Sequence, residues 1–444
     1  MSANNWFFVV GYLAVLGVGA VVVPLNPGSP TIELSNQMRE IGARVAIVGP
    51  SSRLAAEGID RDALGVEHLV ATEHIGLPGA TTLEGLFTGT QLPRAERSDA
   101  DLAALLFTAG TAGSPKAAML THGNLLANLV QINRHPGRAT TSSDISLGVL
   151  PMHHIFGLNV VLGMALLVGS SVVLVERFDP TTALDTIANH RVTLLAGAPP
   201  MYTSWLALPD AAAGAFSSVR LAISGAAPLG TDVVSAFQQR FGVTIREGYG
   251  LTEASPTVTS SVANAPARPG SIGAPLPGVE VRLVDADGED ALAGDSGEIW
   301  VRGPNVFAGY WGSEEATAAA VTPDGWLRTG DVAVVDDDGW LYIVSRAKDV
   351  IIVSGFNVFP TEVEDALRAH PGVAEVAVVG VTHPHTGEAV KAFVVAAHDH
   401  HLEEDELIEW CAKRLARYKC PAKVMFVDEL PYSGTGKLLR RTLR

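Results

Sequence analysis

The chain has 444 residues, of which 47% are hydrophobic and 18% charged, so it can build large cores and is not a disordered polypeptide. Its length suits about three domain-sized units. The formal net charge of −16 gives little attraction for a phosphate backbone, which disfavours nucleic-acid binding. Two cysteines, Cys411 and Cys420, are too few for a disulfide framework or a thiolate metal site, and they favour a reducing compartment, the cytoplasm.

An uncharged apolar segment spans residues 6–23, and the first charged side chain of the chain is Glu33. Its length permits a membrane span. However, no Lys or Arg precedes it, and three glycines interrupt it. A buried helix at residues 7–16 that runs into a buried strand at 20–25 explains the same pattern and is favoured.

Strand-like and helix-like segments alternate from residue 20 to about residue 250. The predicted strands are 45–48, 102–108, 171–175, 193–196, 220–224 and 243–247, and the clearest helices are 181–190 and 231–241. This alternation predicts an α/β fold in which helices cover mainly parallel sheets, forming two α/β subdomains.

The pattern changes after residue 279, where short alternating strands are separated by Asp-Gly dipeptides that favour tight turns. Residues 279–345 are therefore predicted to form an antiparallel, β-barrel-like part of a large domain, 1–345. Residues 346–444 hold 13 basic and 14 acidic side chains and are nearly neutral, unlike the rest. With strands at 374–381 and 391–397 and a helix at 403–418, they predict a small α+β domain.

A loop rich in Gly, Thr and Ser follows an apolar strand at residues 106–116, which read LFTAGTAGSPK. Glycines let backbone N–H groups approach an anion, and the hydroxyls and Lys116 add hydrogen bonds and charge. The loop is not a Walker A motif, because Gly-Lys-Ser/Thr is absent. Taken alone, a phosphate-binding loop and an ordinary surface loop explain it about equally well.

The loop resembles the Ser/Thr-Gly-Thr-Thr-Gly-x-Pro-Lys signature of the adenylate-forming superfamily, which includes acyl-CoA synthetases. Further segments match motifs of that family in the same order: 247–253 (EGYGLTE), 329–331 (TGD), 345–349 (SRAKD), 354–364 (SGFNVFPTEVE) and 431–440. The match covers nearly the whole chain. The resemblance implies ATP, Mg²⁺ and CoA as cofactor and co-substrates, and a small C-terminal domain that moves.

The resemblance also implies a role for each matching residue. Phosphate contacts fall on Thr108, Gly110, Thr111, Gly113, Ser114 and Lys116; adenine contacts on Gly225, Ala226 and Tyr249; ribose contacts on Asp331 and Arg346. Thr252 would contact the α-phosphate and Glu253 would hold Mg²⁺, a cation that prefers carboxylate and phosphate oxygens. Lys437 would be catalytic, Lys348 the hinge, and Gly355 part of the pantetheine tunnel.

The acyl-pocket segment of the family corresponds to residues 151–157 (PMHHIFG), in which His154 is the candidate gating residue, and Gly250 is a second substrate contact. A core histidine is the rival interpretation of His154. Because residues 155–157 offer no aspartate for a substrate amine, amino-acid activation is disfavoured.

The sequence departs from the family pattern at Ala109, Ala112 and Ala117, where hydroxyl residues or glycine are usual. It also resembles a family member that lacks the usual leader of roughly 50 residues, so Trp6, Phe7 and Phe8 are expected to be exposed.

The sequence therefore predicts an ATP-dependent, AMP-forming acyl-CoA synthetase that activates a carboxylic acid, most simply a fatty acid. The alternatives are a fatty acyl-AMP ligase that serves an acyl carrier protein, and a non-catalytic nucleotide or acyl binder. The partners are the small-molecule acid, ATP and CoA, with peripheral membrane contact left open. Chain length, aryl preference and oligomeric state do not follow from the sequence.

Overall fold

The computed structural model describes residues 1–87, 93–108, 115–137, 140–262, 268–285, 287–292, 294–346, 349–353, 356–384, 386–397, 402–432 and 438–443. The chain divides into two compact units. The first is Met1–Glu280 with Val301–Leu327, and the second is Val281–Trp300 with Arg328–Arg444. The predicted domain boundary between residues 345 and 346 stays a prediction.

The elements of the first unit alternate between strand and helix along most of its length. Its strands are β1 (Val45–Val48), β2 (His68–Ala71), β3 (Thr81–Thr82), β4 (Leu102–Thr108), β5 (Lys116–Thr121), β6 (Ile145–Gly148), β7 (Ser171–Leu174), β8 (Leu194–Gly197), β9 (Leu221–Ser224), β10 (Ile245–Gly250), β11 (Thr257–Ser260) and β12 (Ala274–Pro275). Its α-helices are α1 (Trp6–Gly17), α2 (Thr31–Ile41), α3 (Arg53–Glu57), α4 (Arg61–Leu64), α5 (His122–Arg134), α6 (Met164–Val168), α7 (Pro180–His190), α8 (Pro199–Ala207), α9 (Thr231–Phe241) and α10 (Glu314–Ala320), and Phe156–Gly163 is a π-helix.

The main sheet of the first unit has seven strands in the order β12-β11-β10-β9-β8-β6-β7. Strands β6 to β10 pair in parallel, whereas β11 and β12 are antiparallel. A second sheet, β1-β2-β3, is parallel throughout. The predicted α/β class is therefore confirmed, because the apolar runs form parallel strands between amphipathic helices.

One predicted strand pairs differently from the expectation. Residues 102–108 form β4, but β4 pairs antiparallel with β5, so the two strands flank the Gly-rich loop as a hairpin. Residues 20–25, predicted as a full strand, contribute a parallel bridge from Val22 to Ala104. Two backbone hydrogen bonds support this bridge, since the Val22 N–H donates to Ala103 and Val22 accepts from the Leu105 N–H.

Helix α1 carries the uncharged N-terminal segment, and its N-terminus is capped by Asn5, whose side chain accepts the Phe8 N–H. Phe7 and Phe8 are buried, with 3% and 9% of their surface exposed, so the expectation that both are exposed is wrong. Trp6 is exposed, as predicted, at 56%. In the described residues, no helix is both long and apolar enough to cross a bilayer.

The core of the first unit sits between the main sheet and helices α8 and α9. Residues Val234, Phe237 and Phe241 are buried on one face of α9, which ends where Gly242 takes a left-handed conformation. Phe237 packs edge-to-face against Tyr202 with ring centroids 5.4 Å apart. This core packs helices α8 and α9 against the main sheet, which includes β9 and β10.

The second unit contains two antiparallel-rich sheets. Its strands are β13 (Glu280–Val284), β14 (Gly297–Arg302), β15 (Leu327–Val335), β16 (Leu341–Arg346), β17 (Ile351–Val353), β18 (Phe356–Val358), β19 (Val373–His383), β20 (Gly387–Ala396) and β21 (Lys423–Phe426), and its α-helices are α11 (Pro360–Arg368) and α12 (Glu404–Ala412). One sheet has the order β13-β14-β15-β16, and the other has β18-β17-β20-β19 with β21 beside β20.

The helix predicted at 403–418 is shorter in the structure. It ends at Ala412, and Arg417–Lys419 form a separate 3-10 turn. After the helix, the Leu415 and Arg414 N–H groups both donate to the Cys411 carbonyl, and the Arg414 guanidinium lies 3.4 Å from the Trp410 ring centroid. The other short 3-10 segments are Pro50–Ser52, Glu73–Ile75, Glu84–Leu86, Thr252–Ala254 and Arg440–Leu443.

Candidate active site

The base of the Gly-rich loop is set by the β4–β5 hairpin. Thr108 and Lys116 are direct partners across the hairpin, and the Thr108 hydroxyl donates to the Lys116 carbonyl at 3.4 Å. Four of the predicted phosphate contacts, Gly110, Thr111, Gly113 and Ser114, lie outside the described residues, as do Ala109 and Ala112. The structure therefore places the two ends of the predicted loop side by side.

A tight turn after β10 carries Thr252 and Glu253, and its carbonyl groups are all engaged. Three buried asparagines donate their side-chain amides to it: Asn305 to Ala254, Asn159 to Ser255 and Asn128 to Thr257. The Phe307 N–H donates to Glu253, and the Leu251 N–H donates to Pro256. Each carbonyl from residue 253 to residue 257 thus has a partner, which holds the turn in one shape.

The Glu253 carboxylate lies beside an aromatic ring from a distant part of the sequence. The Tyr310 hydroxyl donates to Glu253 Oε1 at 2.8 Å, and the Lys116 ammonium lies 5.3 Å from the centroid of the same ring. Tyr310 therefore contacts the predicted Mg²⁺ ligand and the predicted phosphate-binding lysine together. A carboxylate is a suitable group for a cation such as Mg²⁺, and an ammonium is a suitable group for a phosphate.

The donor chemistry at Glu253 is compatible with Mg²⁺. Mg²⁺ is commonly held by one or two carboxylates together with substrate phosphates rather than by a dedicated protein cage. In the described part of the chain, no cluster of three or more His, Cys, Asp or Glu side chains is arranged to hold a metal by itself. Glu253 is thus the group that would hold the ion next to a bound triphosphate.

The loop after β9 shows why small residues occupy the predicted adenine contacts. A Cβ atom on Gly225 would lie 3.0 Å from the Phe156 ring, so glycine allows the acyl-pocket segment to approach this loop. Ala226 has a φ of 72°, a left-handed conformation that an alanine adopts only when its surroundings fix it. Tyr249, the third predicted adenine contact, is buried in β10 opposite Thr259.

Glu247, two residues before Tyr249, joins three segments of this region. Its carboxylate accepts from the N–H groups of Leu229 at 3.3 Å and Gly270 at 3.1 Å. Burial raises the pKa of Glu247 above its ordinary value, and the two N–H donors oppose that rise. Glu247 thus ties the loop after β9 and the segment before β12 to strand β10.

The acyl-pocket segment leads into the π-helix, a form often found at functional sites. The His153 and His154 rings lie 4.6 Å apart. Burial lowers the pKa of His153 to about 3 and also lowers the pKa of His154, so both rings are neutral near pH 7. The His154 ring still reaches solvent, which fits a side chain at the wall of a recess.

A small cavity of about 30 Å³ lies beside the π-helix, among β6, β8, β9 and α5. None of the described side chains that line it is charged; they include Ile132, Leu147, Val160, Val161, Met164 and Ile223. Its volume has room for little more than a water molecule.

The second unit holds the predicted ribose contacts. Asp331 and Arg346 lie opposite each other on β15 and β16, and Arg346 Nε is 2.7 Å from Asp331 Oδ1. The Asp331 N–H donates to Thr329 Oγ1, which donates in turn to the Ile299 carbonyl. The structure thus brings together two residues that the sequence motifs list separately.

Three predicted residues of the second unit, Lys348, Gly355 and Lys437, lie outside the described residues. The segments around Lys437 are anchored nonetheless. Tyr432 and Leu438 form an antiparallel bridge, and the Arg440 guanidinium donates to both oxygens of the buried Glu364 carboxylate at 2.6 and 2.7 Å.

Comparisons with known proteins decide the family. The AMP-binding enzyme model matches residues 1–311, and the model of the AMP-binding enzyme C-terminal domain matches residues 362–437. The chain belongs to the AMP-binding enzyme family. This family assignment confirms the resemblance drawn from the ordered motifs.

Several curated relatives of this AMP-binding enzyme are CoA ligases. A long-chain-fatty-acid–CoA ligase of Escherichia coli O157:H7 is 36% identical over an alignment of 480 positions. The alignment covers 100% of this chain and 84% of the relative. A feruloyl-CoA synthase of Amycolatopsis sp is 39% identical over 432 residues, which cover 96% of this chain and 84% of the relative.

Solved structures give the same fold. ATP-bound MatB from Rhodopseudomonas palustris superposes with a TM-score of 0.90 at 34% identity, covering 100% of this AMP-binding enzyme and 87% of MatB. The anthranilate CoA ligase AuaEII in complex with anthranoyl-AMP superposes with a TM-score of 0.89 at 30% identity, covering 100% and 86%.

The motifs alone did not identify Tyr310, which contacts Glu253, or the three asparagines that bind the Glu253 turn. Their contacts join residues that are far apart in sequence, such as Glu253 and Tyr310, 57 positions apart. A usable signal was the glycine-containing segment 303–311 (GPNVFAGYW), which has three aromatic residues: Phe307, Tyr310 and Trp311.

Proposed function

We propose that this AMP-binding enzyme is an ATP-dependent, AMP-forming acyl-CoA ligase. One observation in the structure supports it most directly: the Glu253 carboxylate and the Lys116 ammonium sit around the Tyr310 ring, at a fixed turn and at the end of a Gly-rich loop. That arrangement suits a triphosphate with its cation. The relatives named as CoA ligases support the second substrate.

The reaction has two halves. A carboxylate oxygen of the acid attacks the α-phosphorus of ATP, the bond to the β-phosphate oxygen breaks, and acyl-AMP and pyrophosphate form. The CoA sulfur then attacks the acyl carbon, its proton is lost, and AMP leaves with the electron pair of the broken C–O bond.

Particular residues are assigned to the first half-reaction. Lys116 and the hydroxyls of the Gly-rich loop bind the phosphates, and Thr252 contacts the α-phosphate. Mg²⁺, held at Glu253, supplies charge neutralisation when it is bound. Lys437 offsets the negative charge that builds up as the carboxylate meets the α-phosphate.

The remaining assignments concern nucleotide binding and the second half-reaction. Tyr249 and the 225–226 loop hold adenine, and Asp331 and Arg346 hold the ribose. The small domain, residues 346–444, turns about Lys348, and Gly355 leaves space for the pantetheine arm of CoA because glycine has no side chain.

The substrate is proposed to be a fatty acid. The support is the relative named as a long-chain-fatty-acid–CoA ligase, together with the neutral state of His153 and His154 in the acyl-pocket segment. An aryl acid is the competing substrate, because two relatives are named feruloyl-CoA synthase and 4-coumarate–CoA ligase. Location in the cytoplasm is proposed from the two free cysteines, Cys411 and Cys420.

Exchange of labelled pyrophosphate into ATP tests adenylation, and AMP release with and without CoA tests transfer. We expect exchange that depends on an added carboxylic acid and AMP release that depends on CoA. Exchange without CoA-dependent AMP release would replace the proposal by an acyl-AMP ligase that uses a carrier protein. Absence of exchange with a panel of fatty and aryl acids would indicate a non-catalytic binder.

The variant Lys437→Ala tests the catalytic assignment. Adenylation should fall by about 10² to 10³, the loss that follows removal of one preorganised electrostatic contact. Thioester formation from supplied acyl-AMP should stay near the wild-type rate, because the lysine is not needed when the thiol attacks. Equal damage to both halves, in a variant that circular dichroism shows to be folded, would contradict the assignment.

A further inference from the structure

Tyr310 is fixed by its backbone on two sides. Residues 308–311 run along β5, where the Ala308 N–H donates to Met119, the Met119 N–H to Gly309 and the Trp311 N–H to Ala117, each at 2.9 Å. On its other side, the Tyr310 N–H donates to Thr317 Oγ1 in α10 at 2.9 Å. The ring therefore has a defined position relative to β5, which begins at Lys116.

The same segment is attached to the turn that carries Glu253. The Phe307 N–H donates to the Glu253 carbonyl at 2.9 Å, and the Asn305 amide donates to the next carbonyl, at Ala254. The Phe307 and Tyr310 rings pack edge-to-face with centroids 4.9 Å apart. Segment 305–311 is thus a brace between β5 and the Glu253 turn.

The chemistry of the contact with Glu253 suits a metal ligand. A neutral hydroxyl donor satisfies Oε1 and leaves the full negative charge on the carboxylate, whereas a lysine or arginine donor would compete with a cation. In the described part of the chain, Oε2 of Glu253 accepts no hydrogen bond. Carboxylates that bind metals are typically oriented in this way by a second residue.

The Tyr310 side chain contacts two opposite charges, since its hydroxyl donates to Glu253 and the Lys116 ammonium lies over its ring. Lys116 lies over the ring, and among the described residues it forms no ion pair with Glu253. A direct pair between them would cancel the positive charge that a phosphate needs and the negative charge that a cation needs.

We propose that Tyr310 is a positioning residue: its hydroxyl holds the Glu253 carboxylate in one orientation, and its ring keeps Lys116 and Glu253 apart. This inference rests on the proposed binding of Mg²⁺ and ATP at the site. Tyr310 does not react itself, and its effect is on the binding of the metal-nucleotide complex.

The variant Tyr310→Phe removes the hydroxyl and keeps the ring. Titration calorimetry with ATP is run in excess EDTA and again with excess Mg²⁺, together with the midpoint of thermal unfolding without ligand. We expect the affinity for ATP in EDTA to be unchanged. The factor by which Mg²⁺ increases the affinity for ATP should fall by about 10- to 100-fold. The midpoint of thermal unfolding should change little. The Mg²⁺ concentration for half-maximal pyrophosphate exchange should rise in parallel.

The variant Tyr310→Leu also removes the ring. It should weaken ATP binding in EDTA as well, because Lys116 can then pair with Glu253. If it binds ATP in EDTA as tightly as Tyr310→Phe, the role of the ring as a spacer is overturned.

Tyr342→Phe is the matched control, since the Tyr342 hydroxyl donates to a carboxylate oxygen of Asp336 at 3.2 Å in the β15–β16 hairpin. It should leave the effect of Mg²⁺ on ATP affinity unchanged. If Mg²⁺ increases the ATP affinity of Tyr310→Phe as much as that of the wild type, the proposed role of the hydroxyl is overturned, while the role of the ring is not. A wild-type protein whose ATP affinity does not respond to Mg²⁺ overturns the proposed site together with this inference.

Discussion

At the scale of single residues, steric space explains one of the predicted substrate contacts better than its motif does. Gly250 ends strand β10 at a register shift, and a Cβ atom at this position would overlap the Pro256 carbonyl oxygen. That oxygen accepts the Leu251 N–H at 3.1 Å as part of the turn that carries Glu253. A side chain at Gly250 would therefore move the turn that carries Glu253, whether or not Gly250 touches substrate.

Gly250→Ala should lower the free energy of unfolding by about 1–3 kcal/mol, the usual cost of forcing atoms into a packed site, and should weaken ATP binding as well. Denaturant titration and calorimetry with ATP measure the two effects. Gly214→Ala is the control, because nothing lies within 4 Å of its added methyl group, and it should change stability by less than about 0.5 kcal/mol. Equal changes in stability and ATP affinity in the two variants would show that the turn accommodates a methyl group at Gly250 without strain.

His153 gives a prediction about pH. Burial, aided by the nearby His154, lowers its pKa to about 3 in the folded protein, while an unfolded histidine titrates near 6.5. As pH falls below about 6.5, the unfolded chain binds a proton that the native protein does not, so stability falls. His153→Gln should make this fall shallower, by at most about 1.4 kcal/mol per pH unit.

The comparison needs urea unfolding at several pH values between 7 and 4. The difference in the free energy of unfolding between the two proteins at pH 7 measures lost packing. The difference in how steeply the free energy of unfolding falls below pH 6.5 measures the contribution of His153 protonation. Parallel curves would mean that His153 is protonated as easily in the folded protein as in the unfolded one.

At the scale of elements, the turn that carries Glu253 depends on helices that lie elsewhere in the sequence. Asn128 of α5 both donates to the Thr257 carbonyl at 2.7 Å and accepts the Thr257 N–H at 3.1 Å. Asn159 of the π-helix donates to Ser255 at 2.8 Å. The helix that borders the uncharged cavity is thus bonded to the turn that holds Glu253, which couples the rigidity of the two regions.

Asn128→Asp replaces the amide donor by a carboxylate that faces the Thr257 carbonyl. Because the site is buried, stability should fall by about 2–3 kcal/mol, the range for unpaired buried polar groups, with a loss of adenylation. Asn36→Asp is the matched control on the exposed face of α2, where Asn36 accepts from Arg39, and it should stay within about 0.5 kcal/mol. The midpoints of denaturant unfolding of both variants are compared with that of the wild type. They are converted to free energies with one common dependence on denaturant concentration.

Sequence patterns locate elements well where the signal is local. Strand 45–48 and helix 231–241 appear at their predicted bounds, because apolar periodicity and a following glycine lie within a few residues of each other. The antiparallel pairing of β4 with β5 could not be read in this way, since a buried apolar run looks alike in both kinds of sheet. The motifs located Glu253 but not Tyr310 or Asn128, whose places depend on how distant segments meet.

At the scale of the whole molecule, the two compact units have separate cores. Leu147 in β6 belongs to the core between the main sheet and its helices, and Leu367 in α11 belongs to the core of the second unit with β19 and β20. Both side chains have 0% of their surface exposed. Proteins with more than one core commonly unfold in more than one step.

Leu147→Ala and Leu367→Ala therefore form a matched pair for calorimetry, because each should cost about 2–5 kcal/mol in the core that contains it. We expect the heat absorption of the wild type to resolve into two transitions, with Leu147→Ala lowering the temperature of one and Leu367→Ala lowering the temperature of the other. Addition of ATP should raise both transitions, since Lys116 and Glu253 belong to the first unit and the proposed ribose contacts Asp331 and Arg346 belong to the second. If both variants shift one common transition by similar amounts, the two cores unfold as a single cooperative body.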